Sequence, residues 1–197
     1  MFQCPFNNME MEICFVTSNK NKLREAKNIF DSGLTKRRVK LKQKKLEILE
    51  IQSLKVKDVV KHKAKKAYEQ VRKPVVVEDT ALYIKSWKNF PGPFISWVIK
   101  TMGIKGICRF VGKDRNATAE ACVAYYDGKK MKIFSGRVRG KIARKPRGKK
   151  RFDWDRIFIP FGFSRTFAEM KLSEKNRISH RMKAFTKLKK YIITHKL

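Results

Sequence analysis

The spacing of apolar and polar positions divides the chain into short strands and amphipathic helices. Ile13 to Val16 reads as a short buried strand, and the polar turn Thr17-Ser18-Asn19 follows it. Lys20 to Phe30 reads as a helix with Leu23, Ala26 and Phe30 on one face, and Gly33 as its stop. Between Lys36 and Lys45, Val39, Leu41 and Gln43 alternate with Arg38, Lys40, Lys42 and Lys44. That period of two predicts a strand with one strongly cationic face, and lysines there discourage edge pairing. Glu47 to Ile51 is a further short apolar segment containing acids. Val56 to Val71 predicts a helix that buries Val56, Val59, Val60, Ala64, Ala67 and Val71. In Pro74 to Tyr83, three consecutive valines predict a short strand buried on both faces and ending at the paired acids Glu78 and Asp79.

A forced turn at Asn89 to Pro93 precedes a helix expected to bury Phe94, Trp97, Val98 and Met102. Ile104 to Val111 reads as a shorter helix using Ile107, Cys108 and Val111. Thr118 to Tyr126 and Met131 to Ile142 read as two strands joined by a hairpin turn at Asp127-Gly128. Gly136 and Gly140 mark bulges or close backbone approach. Lys141 to Arg151 is a basic loop, and a strand-like aromatic segment begins at Phe152. A last helix runs from about Ser179 to Ile193, with Ile178, Met182, Phe185, Leu188 and Ile192 inward. This order predicts a mixed α/β sheet with flanking helices. Residues 1–12 are expected to fray, and 13–197 to form a single domain.

Composition changes the picture in one respect. The net charge is +32, from 49 Lys and Arg against 17 Asp and Glu, and such a field favours polyanions. A hydrophobic content of 42% excludes a disordered chain. Cys4, Cys14, Cys108 and Cys122 form no CxxC pair and sit in apolar patterns, which points to free thiols in a reducing compartment. No apolar stretch approaches the ~18 residues of a membrane span, so a soluble, cytoplasmic protein is expected.

Candidate chemistry concentrates in five places. Strand, polar turn and helix N-terminus around Thr17 to Lys22 form a phosphate-binding geometry, to which Lys22 adds charge. Glu78 and Asp79 place negative charge at the rim of a sheet, where a divalent cation can bind. Lys63 borders the buried face of its helix, either snorkelling or reaching into a site. Phe152 and Trp154 alternate with Asp153 and Asp155, as core aromatics or as a slot that stacks a base. His180 and Arg181 oppose the dipole at the start of the last helix, as residues serving a ligand do.

Four segments in order then resemble the inosine triphosphate pyrophosphatases, the Ham1-like non-standard purine nucleoside triphosphatases. They are FVTSNKNKL, VVEDTAL, FPGP, and FDWD with TFAEM and EKNRISHR. The resemblance implies an elongated α/β fold with two lobes around a nucleotide cleft. It implies hydrolysis of ITP, dITP and XTP to the monophosphate and pyrophosphate, with Mg²⁺ (Mn²⁺ as a substitute) and a homodimer. Thr17, Asn19, Lys22 and Lys63 would then hold the triphosphate, and Ser96 would face the nucleotide. Glu50 and Asp79 would bind the metal, with Asp79, or else Glu78, accepting a proton from water. Phe152, Trp154, Asp155, Lys175, His180 and Arg181 would line the base pocket. The chain departs from the family pattern at Asp153, where Gly is usual, at Arg156, where Pro is usual, and at Pro160-Phe161-Gly162-Phe163, where PDGY is usual. A second reading is an RNA-associated basic binding protein on the same scaffold, using the two basic runs.

Overall fold

The computed structural model describes residues 11–31, 39–149 and 154–195. The expectations on residues 1–10, Gly33 and Phe152 fall outside them, while Met11 and Glu12, expected to fray, lie in a strand. Strands are β1 (Met11–Val16), β2 (Val39–Lys44), β3 (Val75–Ile84), β4 (Pro91–Gly92), β5 (Asn116–Tyr126), β6 (Met131–Ile142) and β7 (Phe158–Pro160). Helices are α1 (Lys20–Asp31), α2 (Val56–Val71), α3 (Ile95–Phe110), α4 (Leu172–Ile178) and α5 (His180–Thr194). One mixed sheet of seven strands runs β2-β1-β3-β5-β6-β7, with β4 paired to β3. The β2, β1 and β3 pairings are parallel and the others antiparallel.

The period-two reading of the basic run holds. Val39 and Leu41 of β2 are buried while Lys40, Lys42 and Lys44 are exposed on an edge strand. Helix α2 buries Val56, Val59, Val60, Ala64 and Ala67, leaving Val71 only half-buried.

The core lies in three regions. Helices α1 and α5 cover one face of the sheet through Phe15, Phe30, Val76, Val123, Phe185 and Leu188. Helix α2 covers the other through Val16, Val60, Ala64, Val75, Val77 and Cys122. The third region joins α3 to the far ends of β3, β5 and β6 through Leu82, Ile84, Ile107, Val138, Ile142 and Phe158. Helices α1 and α2 lie on opposite faces of the sheet, so the winding reverses where β1 and β3 meet, and the sheet edge is open past the end of β1. Open α/β sheets bind ligands at such a reversal.

Two expectations change. The central strand does not end at its acids but continues through them to Ile84. Helix α3 kinks at Gly103, whose non-helical φ of 69° glycine tolerates without a side-chain clash, so the two helical stretches expected on either side of it are present. Trp97 and Met102, expected inward, are 63% and 40% exposed. Helix α4 was not anticipated, since its seven residues carry one apolar position at each end and no repeat.

Candidate active site

Strand β1 ends level with Val77, while β5 pairs along all of β3 from Val75 to Ile84. Glu78 and Asp79 therefore lie just past the last parallel contact, beside an open strand edge. Successive residues of a strand point to opposite faces. Asp79 is in register with Cys122, on the α2 side, and Glu78 with Val123, on the α1 and α5 side. The adjacent acids thus serve two different environments.

The loop after β1 fills the open edge. Asn19 caps α1: its Oδ1 accepts from the amides of Asn21 and Lys22 at 2.9 and 3.2 Å. Thr17 Oγ1 accepts from the amide of Asn19 at 3.1 Å, and Gln43 Nε2 donates to the Thr17 carbonyl at 2.9 Å. These bonds hold the turn against the helix N-terminus. From the first turn of α1, Lys22 Nζ reaches both acids, 3.7 Å from Glu78 Oε2 and 3.9 Å from Asp79 Oδ1.

On the α2 side, Lys63 Nζ bonds to Glu50 Oε1. Burial pushes the Asp79 carboxyl above its ordinary range, with Glu50 adding repulsion and Lys22 and Lys63 opposing both. Asp79 and Glu50, each with a lysine beside it, supply hard oxygen donors. They fit a divalent cation that completes its shell with phosphate and water. Among the described residues no three His, Cys, Asp or Glu side chains cluster into an all-protein cage.

On the opposite face lies a buried ionic network. Arg181 donates from Nε to Glu78 Oε1 at 2.8 Å and from Nη1 to Glu25 Oε2 at 2.5 Å. Lys175 donates to Glu25 Oε1 at 2.9 Å and to Asp155 Oδ2 at 2.5 Å. All five side chains are at most 5% exposed. Burial alone would raise the Glu25 carboxyl, but Arg181 and Lys175 hold it below its ordinary range. Burial wins at Asp155, whose carboxyl is raised despite Lys175.

Beside the network, Trp154 stacks on His180, with ring centres 5.0 Å apart and planes 36° from parallel. His180 is fully buried, neither ring nitrogen finds a hydrogen-bond partner among the described residues, and burial drives its pKa well down. Ser179 caps α5 by accepting from the Met182 amide at 3.1 Å.

The structure therefore brings together Thr17, Asn19, Lys22, Glu50, Lys63 and Asp79 at the open strand edge, and Glu78, Trp154, Asp155, Lys175, His180 and Arg181 behind it. It does not bring Ser96 to them: that residue is exposed on the first turn of α3, with no hydrogen bond to the other site residues. Sequence reasoning missed Glu25, which joins the two cations. An acid one position from the buried Ala26, in a chain so poor in acids, is the signal that pointed to it.

Comparison with known proteins bears on this geometry. The model of the Ham1 family matches residues 13–191. The chain belongs to the Ham1 family. It is 43% identical over 177 residues to a dITP/XTP pyrophosphatase of Thermococcus kodakarensis, covering 88% of this chain and 93% of that protein. It is 39% identical over 186 residues to an inosine triphosphate pyrophosphatase of Yarrowia lipolytica, covering 92% and 96%. Among solved structures, a HAM1 protein from Coxiella burnetii matches with a TM-score of 0.78 at 28% identity, covering 92% of this chain and 98% of that one. The Ham1 fold thus accounts for the mixed sheet and for its strand reversal.

Proposed function

We propose that this Ham1 chain is a nucleoside triphosphate pyrophosphohydrolase. It hydrolyses non-standard purine nucleotides such as dITP, ITP and XTP to the monophosphate and pyrophosphate, keeping them out of RNA and DNA. The observation that carries this reading is Lys22 bridging Glu78 and Asp79. One lysine joins a metal-type acid on one face to an arginine network on the other.

The triphosphate lies along the α1 N-terminus, where backbone amides, the helix dipole and Lys22 favour an anion. Lys63 neutralises charge on the leaving side. Water attacks the α-phosphorus, Asp79 accepts its proton, and the bond from the α-phosphorus to the bridging oxygen breaks as pyrophosphate departs. Glu50 and Asp79 would hold Mg²⁺, or Mn²⁺, which offsets phosphate charge when bound. Glu78 is a poorer candidate base than Asp79, because Arg181 occupies its Oε1 and it faces the other side of the sheet.

At the base end, Arg181 and Lys175 present only donors, so a purine carbonyl is favoured there over an amine. Both cations already serve internal carboxylates, so a base oxygen gains a bond only beside those carboxylates or in place of one. The proposal extends to a homodimer, supported by the exposed Trp97, Met102 and Phe110 of α3. It extends also to a cytoplasmic setting, supported by the free thiols of Cys14, Cys108 and Cys122 and by the lack of a helix long and apolar enough to span a membrane among the described residues.

The test is pyrophosphate release from ITP, XTP, dITP, GTP and ATP with Mg²⁺. The expected result is kcat/KM for ITP or XTP at least about 100-fold above ATP and GTP. Equal turnover of all five overturns the assigned substrate class.

A further inference from the structure

Away from the candidate active site, and sharing none of its residues, a groove of about 590 Å³ lies where β5 begins and β6 ends. Its floor is built by Arg115, whose guanidinium donates to four carbonyls, those of Ile142, Val111, Cys108 and Ala143, at 2.7 to 3.0 Å. That arginine ties the chain leaving β6 to the end of α3 and makes the floor rigid. Around the floor stand Lys113, Lys141, Arg144 and Lys145. All four are exposed, and among the described residues their side chains have no hydrogen bond or ion pair. The one acid in the lining, Asp114, is already paired with Lys85 at 3.5 Å.

The rim adds a second feature. Ile159 of β7 lines the groove and pairs with Lys141. Two residues on, Phe161 is 86% exposed, its amide bonded to the Arg139 carbonyl of β6. Phe161 thus presents an uncovered ring two residues from Ile159, which lines the groove. Cationic tracks flanked by an aromatic ring suit one polymer in particular: a strand whose phosphates follow the charges while an unpaired base stacks on the ring. A duplex offers no free base face to Phe161.

We propose that this groove binds single-stranded nucleic acid, with Lys113, Lys141, Arg144 and Lys145 along its phosphates and Phe161 as a stacking platform. This places a polyanion track on the enzyme separate from its nucleotide site, and gives part of the +32 charge a specific task. The binding is independent of pyrophosphate release.

The probe is a fluorescein-labelled 16-nucleotide oligo-U, titrated with the full chain by fluorescence anisotropy at several salt concentrations. Four phosphate contacts give a log–log salt slope of about −3. The variant Lys141→Ala/Arg144→Ala/Lys145→Ala should flatten that slope by about 2 units. Phe161→Ala should weaken binding at least about fivefold with the slope unchanged. The control Lys57→Ala/Lys61→Ala/Lys65→Ala removes the same charge from the exposed side of α2 and should keep the slope. Circular dichroism checks folding, and single Arg144→Ala and Lys145→Ala variants replace the triple variant if it fails to fold. Equal loss in groove and control variants would mean diffuse attraction and overturn the site. Tighter binding of a duplex of the same length, with Phe161→Ala without effect, would overturn the single-strand assignment. Pyrophosphate release by the groove variant should match the parent; a parallel loss would make the groove part of the nucleotide site and end the proposal.

Discussion

Arg181 Nε lies 2.8 Å from Glu78 Oε1, joining residues 103 positions apart across the face of the sheet that carries α1 and α5. Asp79, the next residue along, faces the other side with Lys63 and Glu50. One step of a strand therefore separates the acid that pairs with the arginine from the acid that shares its face with Lys63 and Glu50.

Asp79→Asn should lower pyrophosphate release by roughly 10³-fold, the range for loss of a positioned base, before any loss of metal is added. Its effect on stability should be opposite in sign. Burial raises the Asp79 carboxyl in the folded state, so the stability it contributes is present at low pH and lost as pH rises through the folded pKa. At neutral pH the ionised group is a cost, and the amide relieves it. Urea unfolding at pH 7 should show the variant at least as stable as the parent, and a marked loss of stability would contradict this account.

Glu25→Gln should destabilise the protein by about 3 kcal/mol at pH 7, since it leaves two buried cations with less negative charge. The folded Glu25 carboxyl is held down, so its contribution is present above the ordinary glutamate value of about 4.3 and lost as pH falls through the folded pKa. The gap between parent and variant, measured by urea unfolding, should therefore shrink below about pH 4. A gap that stays constant across pH would show that Glu25 acts through packing alone.

His180→Phe tests the buried, neutral imidazole. The folded state resists its protonation, so the His180 contribution is present above the unfolded value of about 6.5 and declines as pH falls below it. The parent should lose thermal stability between pH 7.5 and pH 5, and the phenylalanine variant should lose less. Identical slopes would mean that other groups set the pH dependence.

Gly136→Ala should cost about 3 kcal/mol and impair turnover together. A Cβ there would lie 2.1 Å from the His180 carbonyl and 2.6 Å from the Ala184 amide, so α5 must move off β6. That shift carries His180 and Arg181 with it. Thermal unfolding and the KM for ITP should both change; a stable variant with parental KM would show that α5 does not position the base end.

Much of the fold was legible in local pattern. Alternation at Val39 to Gln43 marked an edge strand, and 3.6-residue spacing marked α2, because burial of one face is written directly into side-chain order. Gly136 and Gly140 were legible as points of close approach, since only a missing Cβ permits another backbone within van der Waals reach. Helix α4 and the exposure of Trp97 were not, because each depends on what happens to lie opposite.

The candidate site residues and their order along the chain belong to the sequence by itself. So does the likeness to the Ham1 family, since motifs survive as local strings. Which face each acid serves was decided only in three dimensions. The single-residue step between Glu78 and Asp79 acquires meaning from where β1 stops and from which helix covers each side. Glu25 likewise became part of the site only when α1 packed against α5. Buried charges need partners at hydrogen-bond distance, and in this fold those partners come from segments up to 156 residues away.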